Sequence, residues 1–260
     1  MTEPETTAAA PRRVALFATC LVETCRPSVG FATMKLLRDA GIEVVVPPKQ
    51  TCCGQPSYNS GDRSGAKRLA KRVIAEFEAY EAVVVPSGSC AGMIRVHYPD
   101  LFSNEPAWAG RAKALSAKTY ELTQFLVDVL GLETLGAKID GAVAYHDSCS
   151  SRREMKVLDQ PRVLLKAAGA EVRDVEQPEE CCGFGGTFCV KNADISGAMV
   201  DEKTKAAIAT GADTLLAGDL GCLLNIAGRL KRLGSEIKVR HVAEALAGDT
   251  QTPGIGEARK

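Results

Sequence analysis

The tetrapeptide Thr51-Cys52-Cys53-Gly54 returns as Glu180-Cys181-Cys182-Gly183, 129 residues later. A single cysteine precedes each pair, Cys20 in one case and Cys149 in the other, again 129 residues apart. A single cysteine also follows each pair, Cys90 and Cys222, 132 residues apart. The flanks repeat as well. AGIEV (Ala40–Val44) answers AGAEV (Ala168–Val172), and apolar VALFA (Val14–Ala18) ahead of Cys20 answers AVAYH (Ala142–His146) ahead of Cys149. Agreement at this many points marks an internal duplication rather than scattered core cysteines. Cys25 and Cys189 lie outside the pattern.

Each copy alternates strand and helix signals. In the first, a short apolar run ends at Cys20. Residues 27–40 then have helical periodicity, with Pro27 near the start and Gly41 at the stop. Glu43–Pro47 reads as a buried strand, Asp62–Tyr80 as a long amphipathic helix, and Ala82–Pro86 as another strand. In the second copy strands are expected at Ala142–Tyr145, Glu171–Val175 and Thr214–Ala217, with helices at Pro161–Ala168, Asp194–Thr210 and Leu220–Leu233. A last strand at Glu236–Arg240 and a short helix from Val242 close the series. The expected organisation is a flexible leader (1–12), a first cysteine-rich half (13–100), a mostly helical connector (101–138), a second cysteine-rich half (139–248) and a flexible tail (249–260).

This alternation predicts an α/β fold of two pseudo-repeated halves, each a small parallel sheet flanked by helices. Each cysteine of a set falls just past a strand and before the next helix. Those strand C-terminal ends share one edge of a parallel sheet, where doubly wound folds place their ligands. Strands lie about 4.8 Å apart, so four thiols from three neighbouring strand ends converge on one small object.

Composition removes several other readings. Lys+Arg and Asp+Glu both number 32 in 260 residues, so there is no basic excess for nucleic acid or an anionic membrane surface. Hydrophobic residues make up 45% and charged residues 25%, which is globular rather than disordered. Apolar runs fall well short of the roughly 20 residues that span a bilayer. The N-terminus carries Glu3 and Glu5 and no apolar core of a secretory signal, which gives a cytoplasmic address by default. Thiols there stay reduced, so ligands or redox groups are expected rather than disulfides.

Four thiolates select zinc or an iron–sulfur cluster. Zinc sites draw on two short Cys-x-x-Cys knuckles. Here a vicinal pair stands between two distant single cysteines, and adjacent cysteines suit neighbouring irons better than one tetrahedral ion. The spacing thus favours a cluster over zinc. A dithiol redox centre at Cys52–Cys53 or Cys181–Cys182 comes third, since a vicinal disulfide is strained.

The segments TCCGQPSYNSG, VPSGSCAGM, YHDSCSSRREM, ECCGFGGTFCVKN and AGDLGCLLN carry a resemblance. The chain resembles the LutA/YkgE family of lactate utilization proteins from about Arg13 to Ala247, with the cysteine-rich CCG domain present twice. That domain also occurs in heterodisulfide reductase B and in the iron–sulfur subunit of glycolate oxidase. The resemblance implies an iron–sulfur redox subunit of a multi-protein system that oxidises L-lactate to pyruvate, working with a ferredoxin-like iron–sulfur subunit and a third lactate-utilization subunit. The implied cofactor is an iron–sulfur cluster held by Cys149, Cys181, Cys182 and Cys222, with a second cluster, or zinc, at Cys20, Cys52, Cys53 and Cys90. Heterodisulfide reductase B ends its motif in Cys-x-x-Cys. Here the first of those two cysteines is Ser87 in SGSC and Asp219 in DLGC. Four thiols satisfy an ordinary [4Fe–4S] cubane, whereas the non-cubane cluster of heterodisulfide reductase B uses five. Two other readings remain: a catalytic thiol/disulfide subunit like heterodisulfide reductase B, and a structural zinc-binding scaffold.

Neighbouring residues divide between site and scaffold. Asp219 is either a helix N-cap ahead of Leu220 or an oxygen ligand, and Ser87 is expected to cap or turn. His146 either tunes a cluster or passes a proton or, more plainly, bonds to backbone at a strand end. Arg152 and Arg153 either raise a cluster's potential or are solvated. His97 and His241 are expected to be structural. Cys189 is a better candidate than Cys25 for an extra ligand. The glycines at 183, 185 and 186 make the second half the stronger cluster site, by letting backbone amides approach sulfur. No Walker loop and no dinucleotide fingerprint is present, so the chain alone is not expected to oxidise a hydroxy acid.

Overall fold

The structure is a computed structural model that describes residues 10–249 and 251–257. Most of the expected leader (1–12) lies outside the described residues.

Among the described residues, eight strands form two four-stranded parallel sheets of identical design. The first contains β1 (Arg13–Leu16), β2 (Glu43–Val45), β3 (Ala82–Val85) and β4 (Thr119–Glu121), in the order β2-β1-β3-β4. The second contains β5 (Ala142–Tyr145), β6 (Glu171–Asp174), β7 (Thr214–Ala217) and β8 (Lys238–His241), in the order β6-β5-β7-β8. Every pairing is parallel. In each sheet the chain leaves its first strand to one side and then returns to the other, so the switch point lies beside that strand.

The strands between helical layers are continuous apolar runs, as a sheet covered on both faces requires. AVVV of β3 and AVAY of β5 are buried throughout. Alternate residues of the first sheet serve different cores. Ala15, Val83 and Val85 pack with Val73, Ile74 and Phe77 of the helix Arg63–Phe77. Val14 and Val84 face the other way, into a core that runs on into the second half through Val143, Leu215 and Leu216. The halves are therefore fused by a shared apolar interior.

Polar contacts fix their relative position. Buried Glu244, in the helix Val242–Leu246, accepts from Arg26 Nε at 2.8 Å and Ser28 Oγ at 2.6 Å. The helix Gly88–Gly92 lies so close to the helix Cys149–Arg153 that a Cβ on Gly88 would stand 1.8 Å from Ser151 Oγ.

The mostly helical connector also supplies a strand. Residues 106–117 are helix, but Thr119–Glu121 complete the first sheet as β4, beside β3. Within the expected tail, over the described residues 251–257, Ile255 is buried and donates its N–H to Val239 O at 2.7 Å, and Pro253 O accepts from Arg26. An apolar side chain that covers an edge strand anchors a segment otherwise rich in turn formers. Residues 250 and 258–260 lie outside the described residues.

Candidate metal centres

The glycine of each CCG is what aims the first cysteine. Gly54 and Gly183 have φ of +88° and +81°, the left-handed region where a side chain is strained. That turn points the Gly54 N–H back at Cys52 Sγ (3.5 Å) and the Gly183 N–H at Cys181 Sγ (3.4 Å). Space is also limiting. A Cβ would meet Ala66 O at 3.3 Å in the first copy and Ser196 O at 2.8 Å in the second.

The other thiols sit at helix starts. Cys20 and Cys149 open short helices capped by Thr19 and Ser148. Cys90 lies in the helix capped by Ser87, and Cys222 in the helix Leu220–Arg232 capped by Asp219. Helix N-termini present unpaired N–H groups and a positive dipole end, which suit an anionic group placed beside them.

Within each half the structure brings all four expected thiols together. Cys53 Sγ lies 3.5 Å from Cys90 Sγ. Cys20 and Cys53 both hydrogen-bond to Cys52, holding it as thiolate and lowering it to about 3, while Cys20 is pushed far above the thiol range by its bond to Cys52. The second half repeats this. Cys149 and Cys182 bond to Cys181 and lower it, and Cys182 also meets Cys222. The carbonyl of the second cysteine is tied from behind in both, by Tyr98 Oη on Cys53 O (2.7 Å) and by Asn225 Nδ2 on Cys182 O (2.8 Å). Each centre is thus a quartet of reduced sulfurs on a fixed backbone, a donor set suited to a soft metal or an iron–sulfur cluster.

The surroundings differ. The first centre opens into a cavity of about 220 Å³ between the halves, roofed by Phe184 and Gly186 of the second-half loop. The second centre includes a residue that sequence reasoning undervalued. His146 is 2% exposed, and neither ring nitrogen has a hydrogen-bond partner. One nitrogen lies with Cys182 Sγ and Cys222 Sγ in a group whose donor atoms are all within 4.8 Å of one another. The plainer expectation, an imidazole bonded to backbone, is therefore wrong. Burial, with the Lys203 ammonium nearby, pushes His146 down to about 4 and keeps it neutral.

Asp219 shows the cap role of the two expected. Its Oδ1 accepts from Gly221 N at 3.1 Å, while Oδ2 reaches across to Ser89 N at 2.9 Å and Ser87 Oγ at 3.1 Å. It fastens one centre's helix to the other's. Ser87 caps, as expected, accepting from Cys90 N at 3.3 Å. Arg152 and Arg153 hold the loop before Cys181 through Glu179. His97 pairs with Glu154, and His241 caps its helix in a capping box with Glu244. Cys25 is exposed, and the Cys189 thiol donates to Gly186 O. Among the described residues no helix is long and apolar enough to cross a membrane.

The cysteine-rich CCG domain family matches residues 14–95 and 143–227. The chain is 49% identical over 235 residues to "Lactate utilization protein A" of Macrococcus caseolyticus, covering 90% of this chain and 96% of that one. It is equally similar to "Lactate utilization protein A 1" of Bacillus cereus, with 90% and 98% covered. Among solved structures a hypothetical protein from Helicobacter pylori aligns with a TM-score of 0.67 over 97% of this chain and 52% of that chain. At 13% identity that likeness speaks to the fold alone.

Proposed function

The chain belongs to the lactate utilization protein A family, with the cysteine-rich CCG domain present twice, and from this we propose that it is an iron–sulfur redox subunit in the oxidation of L-lactate to pyruvate. The observation that carries the reading is the pair of thiol quartets, each gathered at one edge of a parallel sheet. Cys149, Cys181, Cys182 and Cys222 would hold one [4Fe–4S] cluster, and Cys20, Cys52, Cys53 and Cys90 a second, or zinc. A bound cluster supplies one-electron transfer. Oxidising a 2-hydroxy acid to a 2-oxo acid releases two electrons and two protons, so the chain serves as a carrier beside a catalyst that takes the hydride equivalent. The partners would be a ferredoxin-like iron–sulfur subunit and a third lactate-utilization subunit, all in the cytoplasm.

The protein's own residues contribute position and charge. The Gly54 and Gly183 amides hydrogen-bond to sulfur, and such bonds raise a centre's potential. Asp219 keeps the two centres in fixed register.

A host strain lacking the gene tests the role. Loss of growth on L-lactate, retained growth on pyruvate, and rescue by the wild-type chain but not by Cys181→Ala are expected. Undiminished growth on L-lactate would refute the assignment. Lactate-dependent dye reduction by the isolated chain would refute the carrier role.

A further inference from the structure

The duplication lets each residue of one centre be set against its counterpart in the other. Phe17 N donates to Val84 O and His146 N donates to Leu216 O, at the same register of the two sheets. His146 therefore occupies the place of Phe17. The helices behind the centres bury the same spacing of residues, Ala66, Ala70, Val73, Ile74 and Phe77 in one and Ser196, Val200, Lys203, Thr204 and Ala207 in the other. Lys203 thus occupies the place of Val73. In the first half Phe17 packs against Phe77 with the two rings tilted, and the wall behind the thiols is apolar. In the second half the wall carries an imidazole and an ammonium.

Lys203 is accounted for: its Nζ donates to Gln177 O at 2.8 Å, and it lies among Glu180, Cys182 and Asp147. Asp147 is accounted for as well, by a two-pronged bond from Arg162 at 2.8–2.9 Å. His146 is not. A buried polar side chain without a partner costs about 1–3 kcal/mol, and native structures keep such groups where something else satisfies them. An apolar residue fits this position, as Phe17 demonstrates, so packing does not require the imidazole.

We infer that His146 is a nitrogen ligand of the second metal centre, taking one of its four ligand positions in place of a thiolate and so revising the all-cysteine assignment of that centre, which gives it a mixed thiolate–imidazole donor set while the first is held by sulfur alone. The inference rests on the metal-binding part of the proposed function. His146 stands with Cys182 and Cys222, their donor atoms within 4.8 Å of one another, and Cys181, hydrogen-bonded to Cys149, lies close enough to act on the imidazole electrostatically. A neutral nitrogen donor adds no negative charge to the centre, and imidazole ligation of iron–sulfur centres goes with higher potentials than thiolate alone. The two centres would then differ in potential, with electrons flowing from the first half to the second.

The test uses the full chain, purified without oxygen and reduced, with [15N]histidine against natural abundance, read by pulsed EPR. A strong nitrogen coupling that changes with the label is expected, together with its loss in His146→Phe, the residue the first half already tolerates. Absence of the coupling in the wild-type chain, or its persistence in His146→Phe, overturns the inference. A weak coupling only, as from an N–H bonded to sulfide, also overturns it. The wild-type measurement decides even if the variant folds poorly, and His146→Gln provides a second variant. If the chain carries zinc and no iron, the iron–sulfur reading fails by itself. The inference is then read from zinc X-ray absorption, where a nitrogen neighbour lost in His146→Phe supports it and sulfur-only coordination overturns it.

Discussion

The two CCG glycines make the same turn under different constraint. Gly183 has the Ser196 carbonyl 2.8 Å from where a Cβ would sit, against 3.3 Å to the Ala66 carbonyl at Gly54. Alanine at either position carries the left-handed penalty of about 1–2 kcal/mol. Gly183→Ala also has to displace backbone. It is expected to cost more than Gly54→Ala, by about 1–2 kcal/mol of strain, and to pull an amide away from Cys181. Denaturant unfolding of both variants checks this, and equal losses would contradict it. Glu121 offers a second test. Burial raises its carboxyl to about 7 from 4.5, with hydrogen bonds from Thr123 and Gln124 offsetting only part of the cost. Between pH 4.5 and 7 the folded chain keeps a proton that the unfolded chain has lost, so this group's contribution to stability falls as pH rises. The advantage of Glu121→Gln over wild type should grow by about 3 kcal/mol across that window and stay flat outside it. A difference independent of pH would contradict the burial argument.

Short capped helices deliver the thiols, and one cap also links the halves. Asp219→Ala removes the acceptor of Gly221 N, Ser89 N and Ser87 Oγ together. A lost cap costs about 1 kcal/mol, and newly orphaned buried donors add about 1–3 kcal/mol. Ser87→Ala alone should cost about 1 kcal/mol. The two are expected to be non-additive by at least about 0.5 kcal/mol in a double-mutant cycle, and additivity would show that the contact across the halves carries no energy. At this scale the sequence is informative where apolar runs are long. Ala82–Val85, Ala142–Tyr145 and Thr214–Ala217 are legible because buried parallel strands read as unbroken hydrophobic segments. Thr119–Glu121 is not. Three residues ending in a glutamate carry no strand signal, and Glu121 serves the following turn as a cap. The link from Asp219 to Ser87 is equally hidden, because it depends on how the halves dock.

The whole molecule is one design used twice, then differentiated. The duplicated cysteines make the grouping of eight thiols into two quartets readable from the chain alone, since parallel strand ends can only share an edge. The difference between the quartets is present in the sequence too, as histidine at the position where the other copy has phenylalanine. Its meaning emerges only where burial leaves that imidazole without a partner. The central claim is that these quartets hold iron–sulfur clusters, and the direct measurement is metal and acid-labile sulfide content after strictly anaerobic purification. Iron and sulfide are expected in equal amounts, about four of each per cluster, with loss of one cluster in Cys181→Ala. Stoichiometric zinc with no iron or sulfide, even after attempted cluster reconstitution, would contradict it.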